Sequence, residues 1–449
     1  MNSLLVTTCA LATLHLCAQT PAPPAPDGAR EAATLVSPGL AMDDCLEIAD
    51  KNQPLLAVAA AGVDAASEAV GEARSPYYPQ LDLSAGYHRW QRHAFLPSGL
   101  IIPGVGTPDL IGPLNDWNGG VSSRFTLFDF GGRRAGVDAA QARLAGAKAD
   151  TAATRADVRL NVRTAFYTLA AAQDLLDVAE KNLARTEGHE RLAEARRAAG
   201  AVPQADVLRM QAEAANAHLQ VINATSRVRI ATGRLNTAMG RVPSTPLTIA
   251  PTPAAPPPAA PAELEAAVDR ALTRRPEITS GQKRTEAARA MVTAARAARA
   301  PKVRADASFG WNDTTFLPNT REWQAGLSVE LPLIDGGSRA RQLARSRAEL
   351  NREEASFTAR QLQIRDEVWS AAAELGRAWS AIAANETSVR ASEESLRIVR
   401  ERYERGAAII TDLLDTQAAL ARAEGSLAAA RWDYLAARAA YERATGSGS

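Results

Sequence analysis

The chain has 449 residues, of which 46% are apolar and 22% charged, with a formal net charge of +1. This composition excludes a disordered chain and a bundle of apolar membrane helices. The near-zero charge argues against a general electrostatic grip on nucleic acid, so no nucleic-acid partner is expected. In chain order, residues 1–20 (MNSLLVTTCALATLHLCAQT) are apolar and end in small residues, as a secretory signal peptide does, though without the usual Lys or Arg near the start. Cys9 and Cys17 lie in this leader, where residues such as Leu16 fit a lipidation motif poorly. Without the leader only Cys45 remains, which precludes an internal disulfide. A Pro-rich segment over 21–42, containing PAPPAP, follows. No later run approaches ~20 consecutive apolar residues, so no membrane-spanning helix is expected after the leader.

The pattern after residue 42 reads helix, strand, loop, strand, long helix, tight turn, helix. Leu81, Leu83, Ala85 and Tyr87 alternate with polar neighbours, and so do Val121, Phe125 and Leu127. This period of two marks a sheet with one apolar and one polar face. The Gly- and Pro-rich stretch at about 92–117 reads as the loop between them. Residues 242–261 (VPSTPLTIAPTPAAPPPAAP) form a Pro-rich linker, expected to be extended and semi-rigid.

The same order then recurs. Val303 to Trp311 alternate like the first strand, and Trp323 to Leu331 like the second. Over 338–405, apolar residues fall seven apart at Leu343, Leu350, Phe357 and Ile364, slip by four to Val368, then continue through Leu375, Ile382, Val389, Leu396 and Tyr403. A sustained heptad predicts a helix packing through a narrow seam, and the slip is a stutter. At ~1.5 Å per residue this helix is ~100 Å long. A return helix is expected at about 409–444. Subtracting 206 reproduces the seam and the stutter at Val137, Leu144, Thr151, Val158 and Val162, and maps Gly406 onto Gly200, Asp412 onto Asp206 and Asp335 onto Asp129. Upstream of the strands the offset is 222, as in Pro54 and Pro276. Residues 43–241 and 262–445 are therefore two copies of one unit, with 446–449 a short tail.

The strand runs match the ~9–11 residues of a tilted membrane strand. Trp90, Trp117, Trp311 and Trp323 fall near the loop-side ends, as in the aromatic girdle of a membrane barrel. A soluble sandwich with its apolar faces inward is the alternative. Four strands cannot close a barrel, and an open sheet in lipid leaves backbone groups unpaired. Strands in a membrane would thus have to be shared among several chains.

These residues resemble the TolC family of outer-membrane efflux channels. The resemblance lies in the two repeats, the YYPQLDLSAGY strand entry, the FTLFDFGGRRA and LPLIDGGSRAR turns, and the tip turns AAGAVPQADVL and RGAAIITDLLD. It covers nearly all of 43–445. It implies a homotrimer whose protomers each give four strands to a twelve-stranded barrel in outer-membrane lipid, above a long α-helical tunnel in the periplasm. It also implies a periplasmic adaptor and an inner-membrane RND or ABC pump as partners, with the tips around Gly200, Ala201, Gly406 and Ala407 meeting the adaptor. Carried over by position, Asp412 and Asp415 line the periplasmic constriction. Asp206 is the first-copy equivalent of Asp412, and Arg209 stands where a second aspartate would be.

No enzymatic motif of the P-loop, GxSxG, HExxH or paired CxxC kind is present, and no cofactor or metal site is expected. His88 and His93 near the first strand end form no ligand cluster of the usual spacing. Asp129 and Asp335 read as helix-start acceptors, with the following glycines permitting the turn. For Asp412 and Asp415, capping of the return helix by Thr411 or Asp412 competes with, and is compatible with, a pore position. Polypeptide secretion and heavy-metal efflux remain alternatives within the channel class. A soluble coiled-coil scaffold is the alternative outside it.

Overall fold

The computed structural model describes residues 39–93, 110–250, 264–316 and 321–447. The expected leader with Cys9 and Cys17, and parts of both Pro-rich segments, lie outside the described residues. Within Gly39–Ser449, a single compact unit, the order is α1 (Met42–Asn52), α2 (Pro54–Arg74), a 3-10 turn (Ser75–Tyr77), β1 (Gln80–His93), β2 (Leu110–Phe128), α3 (Gly132–Ala198), α4 (Gln204–Ala238), α5 (Leu264–Arg274), α6 (Pro276–Ala297), β3 (Lys302–Asp313), β4 (Arg321–Glu330), α7 (Ser338–Glu404) and α8 (Ile410–Ala444).

The internal repeat is carried element by element. Helices α3 and α7 each have 67 residues, and α4 and α8 each have 35. The offset changes within the strand hairpins, where β1 and β2 have 14 and 19 residues against 12 and 10 for β3 and β4. Pro54 and Pro276 open α2 and α6 at the first helical turn, where a missing N–H costs nothing. At the strand-to-helix turns Gly131 and Gly337 adopt φ of 86° and 83°. The Asp129 carboxylate accepts from the Arg133 N–H at 2.7 Å, and Asp335 accepts from the N–H groups of Gly337 and Arg339 at 3.0 and 3.1 Å. The FDFGG and IDGG motifs are therefore helix starts whose free donors are satisfied by a carboxylate.

The stutter has a packing consequence. Val158 and Val162, the residues on either side of the slip in α3, pack with Cys45, Leu46, Leu56, Leu235 and Met239. Ile364 and Val368 do the same in α7, against Ala267, Ala271, Ile278 and Ala444. Apolar residues at i and i+4 widen the narrow heptad stripe by one ridge. That ridge is where the short helices α1 and α5 dock. Cys45 is fully buried in this layer, and burial chiefly pushes its thiol up to about 11, so it is a packed small residue and not a nucleophile.

One expectation needs correction. Strand β2 begins at Leu110, so the last eight residues of the segment read as loop, 110–117, are strand. Its Pro113 sits opposite the irregularity between Trp90 and Arg92, where the ladder register shifts. A proline has no N–H to give, and a bulge is where a strand tolerates one. The linker is anchored where it is described. Leu40 donates to Thr248 O at 2.9 Å, Ala250 donates to Leu40 O at 3.0 Å, and the Asn236 amide donates to Thr245 O at 2.8 Å.

Candidate functional site

The four strands form one antiparallel sheet in the order β1-β2-β3-β4. Paired residues of neighbouring strands share a face, so the register sorts the side chains into rows. Leu83, Val121, Phe309 and Trp323 form one continuous apolar row, and Phe125, Ala305 and Leu327 another. On the opposite face Asp82, Ser122, Ser308 and Gln324 align, as do Gln80, Arg124, Asp306 and Gly326. Arg124 pairs with Asp306 at 3.7 Å, and Arg304 with Glu330 at 2.7 Å. Leu83 is 83% exposed and Trp323 77%, and among the described residues nothing covers the apolar face. The outer edges of β1 and β4 have no strand partner within the sheet.

Three of the four expected girdle residues come together. Trp117 pairs with Tyr87 and Asp313, Trp311 with Gly119 and Arg321, and Trp323 with Phe309, all on the apolar face at the hairpin end. Trp117 packs on Tyr87 at 4.4 Å and edge-on to Phe316 at 4.9 Å. Trp90 differs. It pairs with Leu114, which by strand alternation puts it on the face of Asp82 and Ser84, under the Arg92 guanidinium at 5.2 Å. Its parity is opposite to that of Tyr87, which its closeness to the strand end had concealed. A second aromatic belt was not foreseen. Tyr77, Tyr78, Phe128 and Phe130 are exposed at the helix-side end of β1 and β2, with Phe128 and Phe130 edge-to-face at 4.7 Å. The YYP and FDF tripeptides carried that signal. The nine steps from Tyr78 to Tyr87 rise ~30 Å. At the tilt of membrane barrels this spans roughly 23 Å, close to the ~25 Å apolar band between two aromatic girdles. His88 lies within β1, with its ring 3.4 Å from the Asn118 amide; the His93 side chain lies outside the described residues.

At the far end of the long helices the two tip turns repeat each other. Gly200 and Gly406 have φ of 73° and 77°, and Ala201 and Ala407 donate back to Arg196 O and Arg402 O at 2.8 Å. This is a Schellman-type stop that needs an αL residue, hence glycine. All four of these tip residues are exposed. Behind the turns, Ala193, Val207 and Met210 of the first copy share a core with Leu396, Tyr403, Ile410 and Leu413 of the second. Arg196 donates to Tyr403 O and stacks 4.9 Å from its ring. Burial raises the Tyr403 phenol pKa, and the neighbouring charge of Asp206 adds to that while Arg196 opposes it. Arg209 donates to the Thr411 hydroxyl at 3.2 Å, a second link between copies. Further from the tip, Arg185 grips Glu424 bidentately at 3.0 and 2.6 Å.

Asp412 and Asp415 are exposed beside this cluster, and neither has an ion-pair partner among the described residues; Asp206 is half-buried. The helix begins after Ile409 with no side-chain cap, so neither Thr411 nor Asp412 caps it as one reading expected. The Thr411 hydroxyl is engaged by Arg209 instead. The role of Arg196 had no local signal, because its partner is 207 residues away.

A two-faced sheet with open edges, joined to helices ~100 Å long, defines a protein that inserts strands into a membrane and projects a helical body from it. The chain belongs to the outer membrane efflux protein family, whose profile matches residues 45–241 and 267–447. It is 31% identical to protein CyaE of Bordetella pertussis over 84% of this chain and 78% of that one. It is 25% identical to the pyoverdine export outer membrane protein OpmQ of Pseudomonas putida over 91% and 86%. In fold it is similar to the outer-membrane channel OprN, with a TM-score of 0.79 at 23% identity over 90% of both chains. It is also similar to VceC of Vibrio cholerae, with a TM-score of 0.76 at 21% identity over 90% and 96%. The protein is thus an outer-membrane channel of an efflux or secretion system, with its helices in the periplasm, and not an enzyme.

Proposed function

We propose that three copies assemble into one duct that passively conducts substrates to the exterior, fed by a periplasmic adaptor and an inner-membrane RND or ABC pump. The observation that carries this reading is the four-stranded sheet, apolar on one face and unpaired at both edges. In lipid each open edge requires another strand, and the next copy of the same chain supplies one by symmetry. The polar face then lines the lumen with small side chains such as Ser84, Ser122 and Ser308. A duct driven by a pump has no need of a selective pocket.

In this reading the tips close the periplasmic end. Asp412 and Asp415, with Asp206 nearby, form rings of carboxylates that favour cations. Gly200, Ala201, Gly406 and Ala407 meet the adaptor, and opening requires the polar links of Arg196 and Arg209 to part. The test is planar-bilayer conductance of the wild type against Asp412→Ala/Asp415→Ala. The expected outcome is higher conductance and weaker cation preference in the variant. Unchanged values would remove these residues from the constriction.

A further inference from the structure

Beside the second aromatic belt, where α2 ends and α3 begins, lies a surface pocket of about 310 Å³ lined by Arg74, Tyr77, Tyr78, Arg134, Val137 and Asp138. Its position sets its environment. Tyr77 and Tyr78 immediately precede β1, at the level where exposed aromatic residues meet lipid headgroups. Its charge is net positive. Arg74 and Arg134 are exposed and in no ion pair among the described residues, while Asp138 contributes the one carboxylate of the wall. Its wall is held in place. The Arg133 guanidinium lies 4.7 Å from the Tyr77 ring and is itself fixed by Pro76 O and Leu127 O at 3.1 Å.

The internal repeat shows that the scaffold does not require these residues. The positions matching Tyr77, Tyr78, Arg134 and Asp138 in the second copy are Arg299, Ala300, Ala340 and Ala344. The second copy makes the same strand-to-helix junction without the aromatic wall. The wall is therefore particular to the first copy and not required by the duplicated fold.

We propose that this pocket binds the headgroup of an anionic phospholipid from the periplasmic leaflet. The two guanidinium groups would hold the phosphate, Tyr77 and Tyr78 would flank it, and the acyl chains would run along the exposed apolar face that begins at Leu81 and Leu83. The inference rests on the membrane placement of the sheet. It is independent of the carboxylate rings at the tips.

The test uses the full chain purified in a neutral detergent and native mass spectrometry with added phosphatidylglycerol, phosphatidylcholine or inorganic phosphate. The wild type should retain phosphatidylglycerol in preference to phosphatidylcholine, and millimolar inorganic phosphate should not displace it. Each arginine near an anionic headgroup is worth about fivefold, so Arg74→Ala/Arg134→Ala should weaken retention roughly 25-fold. Tyr78→Ala/Arg134→Ala installs residues that the second copy already carries, so this variant should fold normally and still lose the lipid. Equal retention by these variants, equal retention of the two lipids, or displacement by inorganic phosphate would overturn the proposal.

Discussion

Arg275 is only 3% exposed and sits between Glu277 and Glu367, at 2.8 and 2.5 Å. Glu277 also accepts from Arg443 at 2.7 Å and Arg360 at 3.3 Å, so one carboxylate ties the α5–α6 junction to α7 and α8. Burial by itself pushes the Glu277 carboxyl up. The hydrogen bonds from Arg275 and Arg443 more than offset this and hold it at about 2, against an ordinary 4.5. The unfolded chain then binds this proton more tightly than the native one. The stabilisation is complete above about 4.5 and is lost as the pH falls towards about 2. Glu277→Gln should lower the melting temperature at pH 7, at a cost of about 3 kcal/mol, because it removes one of the two carboxylates that balance the buried Arg275. It should also flatten the decline between pH 5 and 3, seen by circular dichroism as roughly parallel melts. A variant that keeps the wild-type pH dependence would contradict this. None of this network was legible in the sequence. Its carboxylates and arginines lie up to 166 residues apart, and charged residues at that separation carry no periodic signal.

At the scale of elements, β2 and β3 approach closely at Gly120 and Gly310. A Cβ on Gly310 would lie 2.6 Å from Gly119 O, and one on Gly120 would lie 2.8 Å from Phe309 O. Gly310→Val should therefore open this pair, at about 2–3 kcal/mol, in line with overpacked sites. Gly326 lies on the same polar face with nothing near its missing Cβ, so Gly326→Val is the control. The readout is the temperature at which the folded band is lost on semi-native gels; equal shifts for the two variants would argue against the close approach. Strand alternation and the heptad seam were readable because both arise from side chains on one face of a regular element. The start of β2 was not, because Gly112 and Pro113 look like loop residues and only the bulge they form opposite Gln91 accommodates them. Trp90 lies near the hairpin end but on the polar face. Proximity to a strand end says nothing about parity.

For the whole molecule, the open edges of β1 and β4 carry the strongest consequence. Unpaired backbone groups in lipid cost several kcal/mol each, so the isolated chain should have no stable inserted form. Crosslinking in detergent should give a ladder ending at three chains, and a ladder ending at one or two would contradict the shared barrel. By itself the sequence determined the duplication, the alternation of the strands, the ~100 Å helices and hence the family, because each repeats a local period many times over. Only the tertiary structure decided how strand register gathers the aromatic residues, how Arg196 and Arg209 tie the two copies at the tips, and where a pocket opens beside the second belt. Those features depend on contacts between residues far apart in the chain. Such contacts are set by strand register and helix docking, which leave no period in the sequence.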